Sequence, residues 1–464
     1  MNLGPTEASR LPLGHELGNR AGRLGALSLD ARLVAGAGRV LLVWLPLYLL
    51  SGSVYASPSK AAAVASLFAL VWLAALRIAF RAVHVEFGVA IRATVGTATG
   101  LVAVSALDLW LPGRPVPPLT IVAMAGSVLA LSAAWEAVCQ RVVARTVRVL
   151  IVGTGECASD VTDAVERSER TRFSVVGTVA DAQGADAGGG APVLGPLAAL
   201  ADIVDAQRPD VIVLADVERY ELALNRLLDV TSGEFKVADV AHFFEYAFCR
   251  VPLRYLAPTW FMSILHLRQR PYTRAAKRTF DLFVAGLALL LAAPLMAVIA
   301  LLVRLTPGPV IYRQTRVGQA GRPFTMYKFR TMRADAEEGG RAIFAAERDP
   351  RTTRFGRLLR MTHLDELPQL WDVIKGDMSI VGPRPERPEF VPMLEKSVPF
   401  FTRRLLIKPG ITGWAQLRSD YAWDADSTAE KLSYDLWYLR HRNVMLDLAI
   451  CAQTAATMLL RPGR

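Results

Sequence analysis

"KRTFDLFVAGLALLLAAPLMAVIALLVRLTPGPVIYRQ", residues 277–314, carries no charge between Leu282 and Val303. A helix of that length is enough to cross the hydrocarbon core of a bilayer. Its flanks argue against a simple crossing. Lys277 and Arg278 precede the apolar run, and Arg304, Arg313 and Arg316 follow it, so the positive-inside rule keeps both ends on the cytoplasmic side. Pro294 sits mid-segment, where it removes a helix hydrogen bond and bends the axis. Residues 282–303 therefore read as a re-entrant helix that enters the membrane, bends and returns to the same face. An ordinary kinked crossing would export everything downstream, against the charge on the following flank.

Toward the N-terminus lie four more apolar stretches, near residues 40–55, 61–78, 87–109 and 119–138. Each is close to the ~20 residues that span a bilayer core. Arg20, Arg23, Arg32 and Arg39 precede the first, Arg77, Arg81 and Arg92 flank the second connection, and Arg141, Arg145 and Arg148 follow the fourth. The other two connections hold only Lys60 and Arg114. This asymmetry predicts a four-helix transmembrane bundle over residues 37–143 with both ends in the cytoplasm. A buried soluble bundle fits these lengths poorly. Residues 1–36, polar, Gly-rich and basic without an apolar h-region, read as a disordered cytoplasmic tail and not a signal peptide.

From Val147 the texture changes. "VRVLIVGTGECASDVTDAVERS" is an apolar strand, a Gly turn and an amphipathic helix, and "FSVVGTVAD", "DVIVLAD" and "KVADV" supply further strands. The alternation predicts a parallel α/β domain of Rossmann type over residues 147–241, followed by a linker at 242–276. Its turn, Gly153-x-Gly155-x-x-Ala158, is a degenerate dinucleotide fingerprint, and Asp181 past the second strand would be placed to meet a ribose. Tight strand-to-helix packing explains Gly153 and Gly155 equally well. No Tyr-x-x-x-Lys follows, so hydride transfer finds no support.

Of the 464 residues 52% are hydrophobic and 20% charged, with a mean hydropathy of +0.30. That is too apolar for an ordinary soluble enzyme and too charged for a pure membrane bundle. The net charge of +11 calls for an anionic partner: nucleic acid, anionic lipid or a phosphorylated substrate. Cys139, Cys157, Cys249 and Cys451 are scattered, as are the histidines. This spacing builds neither a disulfide framework nor a His/Cys metal centre and suits a reducing compartment.

Between Arg313 and Arg387 the chain is dense in arginine, and "THLDELPQLWDVIKGDMSIVGPRP" sets Asp365 beside Glu366 within it. Arg357 and Arg360 lead into these acids at helical spacing. Lys328 and Arg330, inside "MYKFRTM", have too apolar a setting for a freely solvated face. A surface held against anionic lipid explains some of these cations. Ion pairing is the plain reading of any single acid here. A diphosphate substrate gives another: forked guanidinium groups suit its oxygens, and a divalent cation on it needs a carboxylate. Consecutive helical residues diverge by about 100°, so one acid can attack phosphorus while the other holds Mg2+.

From Lys277 onward the chain resembles the bacterial sugar transferase family, the monotopic phosphoglycosyl transferases that start glycan assembly on a polyprenyl phosphate. The resemblance rests on "KRTFDL", the Pro-containing apolar segment, "YKFRTM", "LDELPQLWDVIKGDMSIVGPRP" and "KPGITGWAQ", in that order. The preceding spans and α/β domain resemble the large branch that primes exopolysaccharide, capsule or O-antigen synthesis. The fold implied is a membrane α-helical bundle, a Rossmann-like α/β domain, and a mixed α/β, helix-rich catalytic domain over residues 277–464 carrying the re-entrant helix. The resemblance implies that Asp365 attacks the β-phosphorus of a UDP-sugar, UMP leaves, and polyprenyl phosphate takes the sugar phosphate from the aspartate. It implies Glu366 as the Mg2+ ligand, with Lys328, Arg360 and Arg384 on phosphate or nucleotide. Arg330 is a further substrate-binding candidate. His363 stands where the family often has Ser, and "LRSDYAW" departs from the family after Gln416.

The implied partners are a UDP-sugar, polyprenyl phosphate and the membrane, with no nucleic acid; a homo-oligomer is compatible with this reading. The implied location is multi-pass in the bacterial inner (cytoplasmic) membrane, catalytic domain facing the cytoplasm. Two competing readings are a membrane-bound sugar-nucleotide dehydratase or epimerase, disfavoured by the missing Tyr-x-x-x-Lys, and a non-catalytic scaffold for glycan assembly, disfavoured by the intact acid pair. The C-terminal "NVMLDLAICAQTAATMLLRPGR" is compatible both with the membrane interface and with packing on the catalytic domain.

Overall fold

The computed structural model describes residues 29–110, 116–142, 146–168, 173–180, 190–216, 220–228, 235–256, 260–261, 271–333, 350–419 and 425–460. Most of the expected tail, Arg114, Arg145 and Asp181 lie outside them. The chain divides into two compact units, Met1–Leu256 and Ala257–Arg464.

The first unit opens with α1 (Leu29–Gly52), α2 (Pro58–Ala82), α3 (Gly88–Asp108) and α4 (Pro118–Val142), each over one of the expected apolar stretches. Val43 and Leu47 of α1, Phe68 and Trp72 of α2, Val104 of α3 and Met124 and Val128 of α4 share one buried core. The outward faces are apolar as well: Leu49, Leu70, Ile78, Val102 and Leu119 are exposed. Helices apolar on both faces suit a lipid surround. By length and composition α2, α3 and α4 qualify as membrane spans, and the apolar part of α1, Gly36–Gly52, is shorter.

The same unit continues with β1 (Val147–Val152), α5 (Glu156–Glu166), β2 (Phe173–Val179), β3 (Val193–Gly195), α6 (Leu200–Gln207), β4 (Val211–Leu214), α7 (Tyr220–Leu228), β5 (Lys236–Asp239) and α8 (Val240–Phe248). The strands form one parallel sheet in the order β3-β2-β1-β4-β5. Side chains alternate along the central strands. Val149, Ile151, Val211 and Val213 pack with α5 and α8, and Leu150, Val152, Ile212 and Leu214 with α6 and α7. Burial on both faces is why residues 149–152 of β1 and the whole of β4 read as unbroken apolar runs. The edge strand β3 escapes that pattern. Phe243, Phe244 and Ala247 of α8 belong to the sheet's core, so this layer runs past the expected boundary at Ala241 into the expected linker.

The second unit begins with α9, a 34-residue helix over Pro271–Arg304 with Pro294 inside it. Pro294 deletes the bond its N–H would make to the Leu290 carbonyl, yet the helix is assigned without interruption. Leu287, Leu290, Leu291 and Leu295 are exposed, whereas Phe280 and Ala285 near one end and Ile299 and Val303 near the other are buried. The hairpin β6 (Ile311–Val317) and β7 (Pro323–Phe329) pairs from Ile311↔Phe329 to Val317↔Pro323. Then come α10 (Arg354–Met361), α11 (Gln369–Lys375), β8 (Ser379–Val381), α12 (Val391–Ser397), β9 (Gly410–Thr412), α13 (Trp414–Arg418), α14 (Ala425–His441) and α15 (Val444–Leu460), with β8 parallel to β9.

Buried ion pairs lock this unit. Lys277 Nζ lies 3.1 Å from Asp281 and 2.7 Å from Asp447. Asp281 also accepts from Ser379 Oγ and the Ile380 N–H, and Tyr438 donates to Asp447 at 2.7 Å. The network ties α9 to β8, α14 and α15. Leu446, Ala449 and Ile450 are buried, so the first half of α15 packs within the unit.

Candidate active site

Three local devices bring Asp365 and Glu366 into one buried turn. Thr353 caps α10 by accepting the Gly356 N–H at 2.9 Å. The helix stops at His363, whose φ of +54° is left-handed, a conformation a non-glycine residue adopts at some cost. A single 3-10 turn, Leu364–Glu366, follows. Its three residues per turn splay neighbouring side chains by about 120°, more than the α-helical spacing expected. Both acids are buried.

Lys328 comes from β7 and donates to Glu366 Oε1 at 2.6 Å. Arg384 follows β8 and donates to the same oxygen at 3.0 Å. Close backbone packing aims that loop: the Gly382 N–H reaches the Thr412 carbonyl, and the Gly410 N–H the Pro383 carbonyl, each at 2.9 Å. A Cβ on Gly382 would lie 2.4 Å from the Lys408 carbonyl oxygen, so only glycine admits the approach. The "GPRP" and "KPGITG" motifs thus meet as one structure.

The electrostatics separate the two acids. Burial raises the Asp365 pKa, with Glu366 adding to it against Lys328, Arg360 and His363. Burial pushes Glu366 up too, but Lys328 and Arg384 outweigh it and hold Glu366 well below the ordinary carboxylate range. Burial, with Arg384, lowers Lys328 against the pull of Glu366. Glu366 is therefore a fixed anion. The Asp365 carboxylate makes no hydrogen bond among the described residues, so its lone pairs are uncommitted.

The other candidates separate. Arg360 sits beside this pair, its Nε donating to Thr331 Oγ1 at 2.9 Å. Arg330 is drawn away: its guanidinium holds the Val303, Thr306 and Pro307 carbonyls and Thr306 Oγ1 at the end of α9. That is a helix C-terminus held by a cation. Its apolar setting signalled burial, but nothing near it in sequence named its partners. In the α/β layer Gly153 has a φ of +125°, and a Cβ there would lie 2.9 Å from the Asp216 backbone nitrogen. Gly155, at φ +83°, opens α5. Glu156, in the first turn, faces Arg254 at 3.4 Å. An acid where a phosphate would dock favours the packing explanation of this turn.

Among the described residues no group of three or more His, Cys, Asp or Glu could cage a metal. Mg2+ needs no such cage, because it is usually held by one or two carboxylates together with substrate phosphates. Lys328 and Arg384 both engage one Glu366 oxygen, so the other would be the one to meet a cation shared with a diphosphate.

Sequence reasoning missed Arg278 and Arg404. Arg278 donates to the Val373 and Ile374 carbonyls, both at 2.7 Å, and so fixes the helix that begins just after the acids. Arg404 supports the Arg384 loop.

Residues 272–461 match the family model for bacterial sugar transferases. Over 153 residues the chain is 48% identical to a putative undecaprenyl-phosphate N-acetylgalactosaminyl 1-phosphate transferase of Bacillus subtilis, covering 33% of this chain and 82% of that protein. It is 44% identical over 184 residues to a UDP-N-acetylgalactosamine-undecaprenyl-phosphate N-acetylgalactosaminephosphotransferase of Aeromonas hydrophila, 39% of this chain and 43% of that one. It is 36% identical over 243 residues to a UDP-glucose:undecaprenyl-phosphate glucose-1-phosphate transferase of Escherichia coli, 51% of each. The chain belongs to the bacterial sugar transferase family. Its match spans about half or less of the Aeromonas and Escherichia relatives.

Proposed function

We propose that this protein transfers a sugar 1-phosphate from a UDP-sugar to a polyprenyl phosphate, releasing UMP and starting exopolysaccharide, capsule or O-antigen synthesis. The observation that carries the reading is the buried turn in which Asp365 is uncommitted while Glu366 is held anionic by Lys328 and Arg384. An Asp365 oxygen bonds to the β-phosphorus as the bond to the UMP oxygen breaks, leaving a sugar-phosphoryl aspartate. A phosphate oxygen of the polyprenyl phosphate then bonds to that phosphorus and frees the carboxylate. Lys328, Arg360 and Arg384 neutralise the phosphate oxygens. Glu366, with Asp365 beside it, would hold Mg2+, which supplies charge neutralisation on the diphosphate.

The test is UMP release by the purified protein with Mg2+, undecaprenyl phosphate and a panel including UDP-glucose and UDP-N-acetylgalactosamine, the sugars in the relatives' names. Release with at least one donor is expected; none with any donor would sink the reading.

The active site would face the cytoplasm, with α9 re-entering the membrane. Both ends of α9 engage the same folded unit, Arg278 and Asp281 at one end and Ile299 and Val303 at the other. Leu287, Leu290, Leu291 and Leu295, all exposed, lie between them. A straight crossing would pull these ends to opposite sides of a bilayer. A bend at Pro294 would keep both on one side. Exposed Leu358, Met361 and Trp371 on neighbouring elements suit a site resting on the lipid surface. Topology reporters fused after Arg148 and after Val303 should both read cytoplasmic. A periplasmic signal after Val303 would exclude re-entry.

A further inference from the structure

We infer that Arg404 is a positioning residue for the transfer reaction: its guanidinium grips the backbone carbonyl of Arg384 and so sets the reach of the Arg384 side chain to Glu366. The inference rests on the function proposed above. Arg404 lies in the 3-10 segment Phe401–Leu406 and is 6% exposed. Its Nη2 donates to the Arg384 carbonyl at 3.0 Å and ion-pairs with Asp435 of α14 at 2.8 Å. Its Nη1 meets Glu386 at 3.4 Å. One planar fork thus joins the loop's backbone to two acids, a geometry that an ammonium does not reproduce.

The next carbonyl is held the same way. Arg316 Nη1 donates to Pro385 at 3.0 Å, and Gln314 anchors that guanidinium. Pro383 and Pro385 flank Arg384, restricting φ at each proline and the backbone of the residue before it. With the Arg384 and Pro385 carbonyls both pinned, the Arg384 side chain is directed to Glu366, which it reaches at 3.0 Å. Buried ion clusters contribute little net stability compared with apolar packing, so an effect on loop geometry is the better account of this one.

A double-mutant cycle on the full-length protein tests it, with Arg404→Gln, Arg384→Ala and the pair. Turnover is read as UMP release and binding as affinity for UDP. Alone, Arg404→Gln should lower kcat/KM by about 10–100-fold, the scale of a misplaced reacting group. In the Arg384→Ala background it should cost less than about 3-fold, because the side chain it positions is gone. Arg404→Lys should restore the thermal midpoint but not kcat/KM. If Arg404→Gln does not fold, Arg404→Lys takes its place in the cycle, since it keeps the charge between Glu386 and Asp435 but loses the fork. Equal losses in both backgrounds would overturn the inference. So would a loss that tracks only the folded fraction. If UDP binds but no UDP-sugar yields UMP, the transfer reading fails while the cycle in UDP affinity still decides the positioning role. Absence of UDP binding would overturn both.

Discussion

Asp365→Asn is expected to lower UMP release by on the order of 10⁴-fold or more, with or without lipid acceptor, in a protein that stays folded. An amide cannot accept a phosphoryl group and pass it on. The structure adds a stability signature. Burial raises the Asp365 pKa above its unfolded value, so the folded state holds this proton more tightly than the unfolded one. Its linkage contribution favours the folded protein in acid and fades as pH rises through the folded pKa. At neutral pH a neutral amide avoids that penalty. The thermal midpoint of Asp365→Asn should therefore equal or exceed that of wild type. Measured together, UMP release and the midpoint separate a lost nucleophile from a lost fold.

Glu366→Gln should have the opposite effect on stability. Glu366 is held well below its ordinary value by Lys328 and Arg384, so its contribution is present above the unfolded range near 4.5 and lost as pH falls through the folded pKa. Gln leaves Lys328, whose side chain is 17% exposed, facing an uncharged partner. Breaking a buried pair in this way costs about 3 kcal/mol, which lowers the midpoint of a unit this size by about 6–12 °C. Removal of the charged metal ligand should also raise the Mg2+ concentration for half-maximal activity by at least about 10-fold. Midpoints measured without Mg2+ and activity titrated with it read the two effects separately. A Glu366→Gln protein as stable as wild type would contradict the Lys328–Glu366–Arg384 geometry.

The separation in sequence between partners decided what could be read in advance. Asp365 and Glu366 announce themselves by adjacency among arginines, and β4 and residues 149–152 of β1 by unbroken apolar runs. The edge strand Val193–Gly195 offers only three residues to a pattern and went unseen. Lys328, in β7, and Arg330, just past its end, are two residues apart, yet the first turns to Glu366 and the second to the end of α9. Lys277, Asp281 and Asp447 form one buried cluster across 170 residues; read alone, each is an ordinary charge near an apolar segment. The left-handed backbone at His363 is likewise set by how α10 must end and the turn begin, which residue type alone does not announce.

The most direct test of the covalent mechanism is the fate of a labelled UDP-sugar mixed with enzyme and Mg2+ in the absence of polyprenyl phosphate, quenched in acid and mapped by peptide mass. The account predicts one turnover or less of UMP and a sugar-phosphate adduct on the peptide bearing Asp365, discharged when lipid acceptor is added before the quench and missing from Asp365→Asn. Steady turnover with acceptor but no adduct at any time, or an adduct that survives Asp365→Asn, would contradict it and favour direct attack by the lipid phosphate.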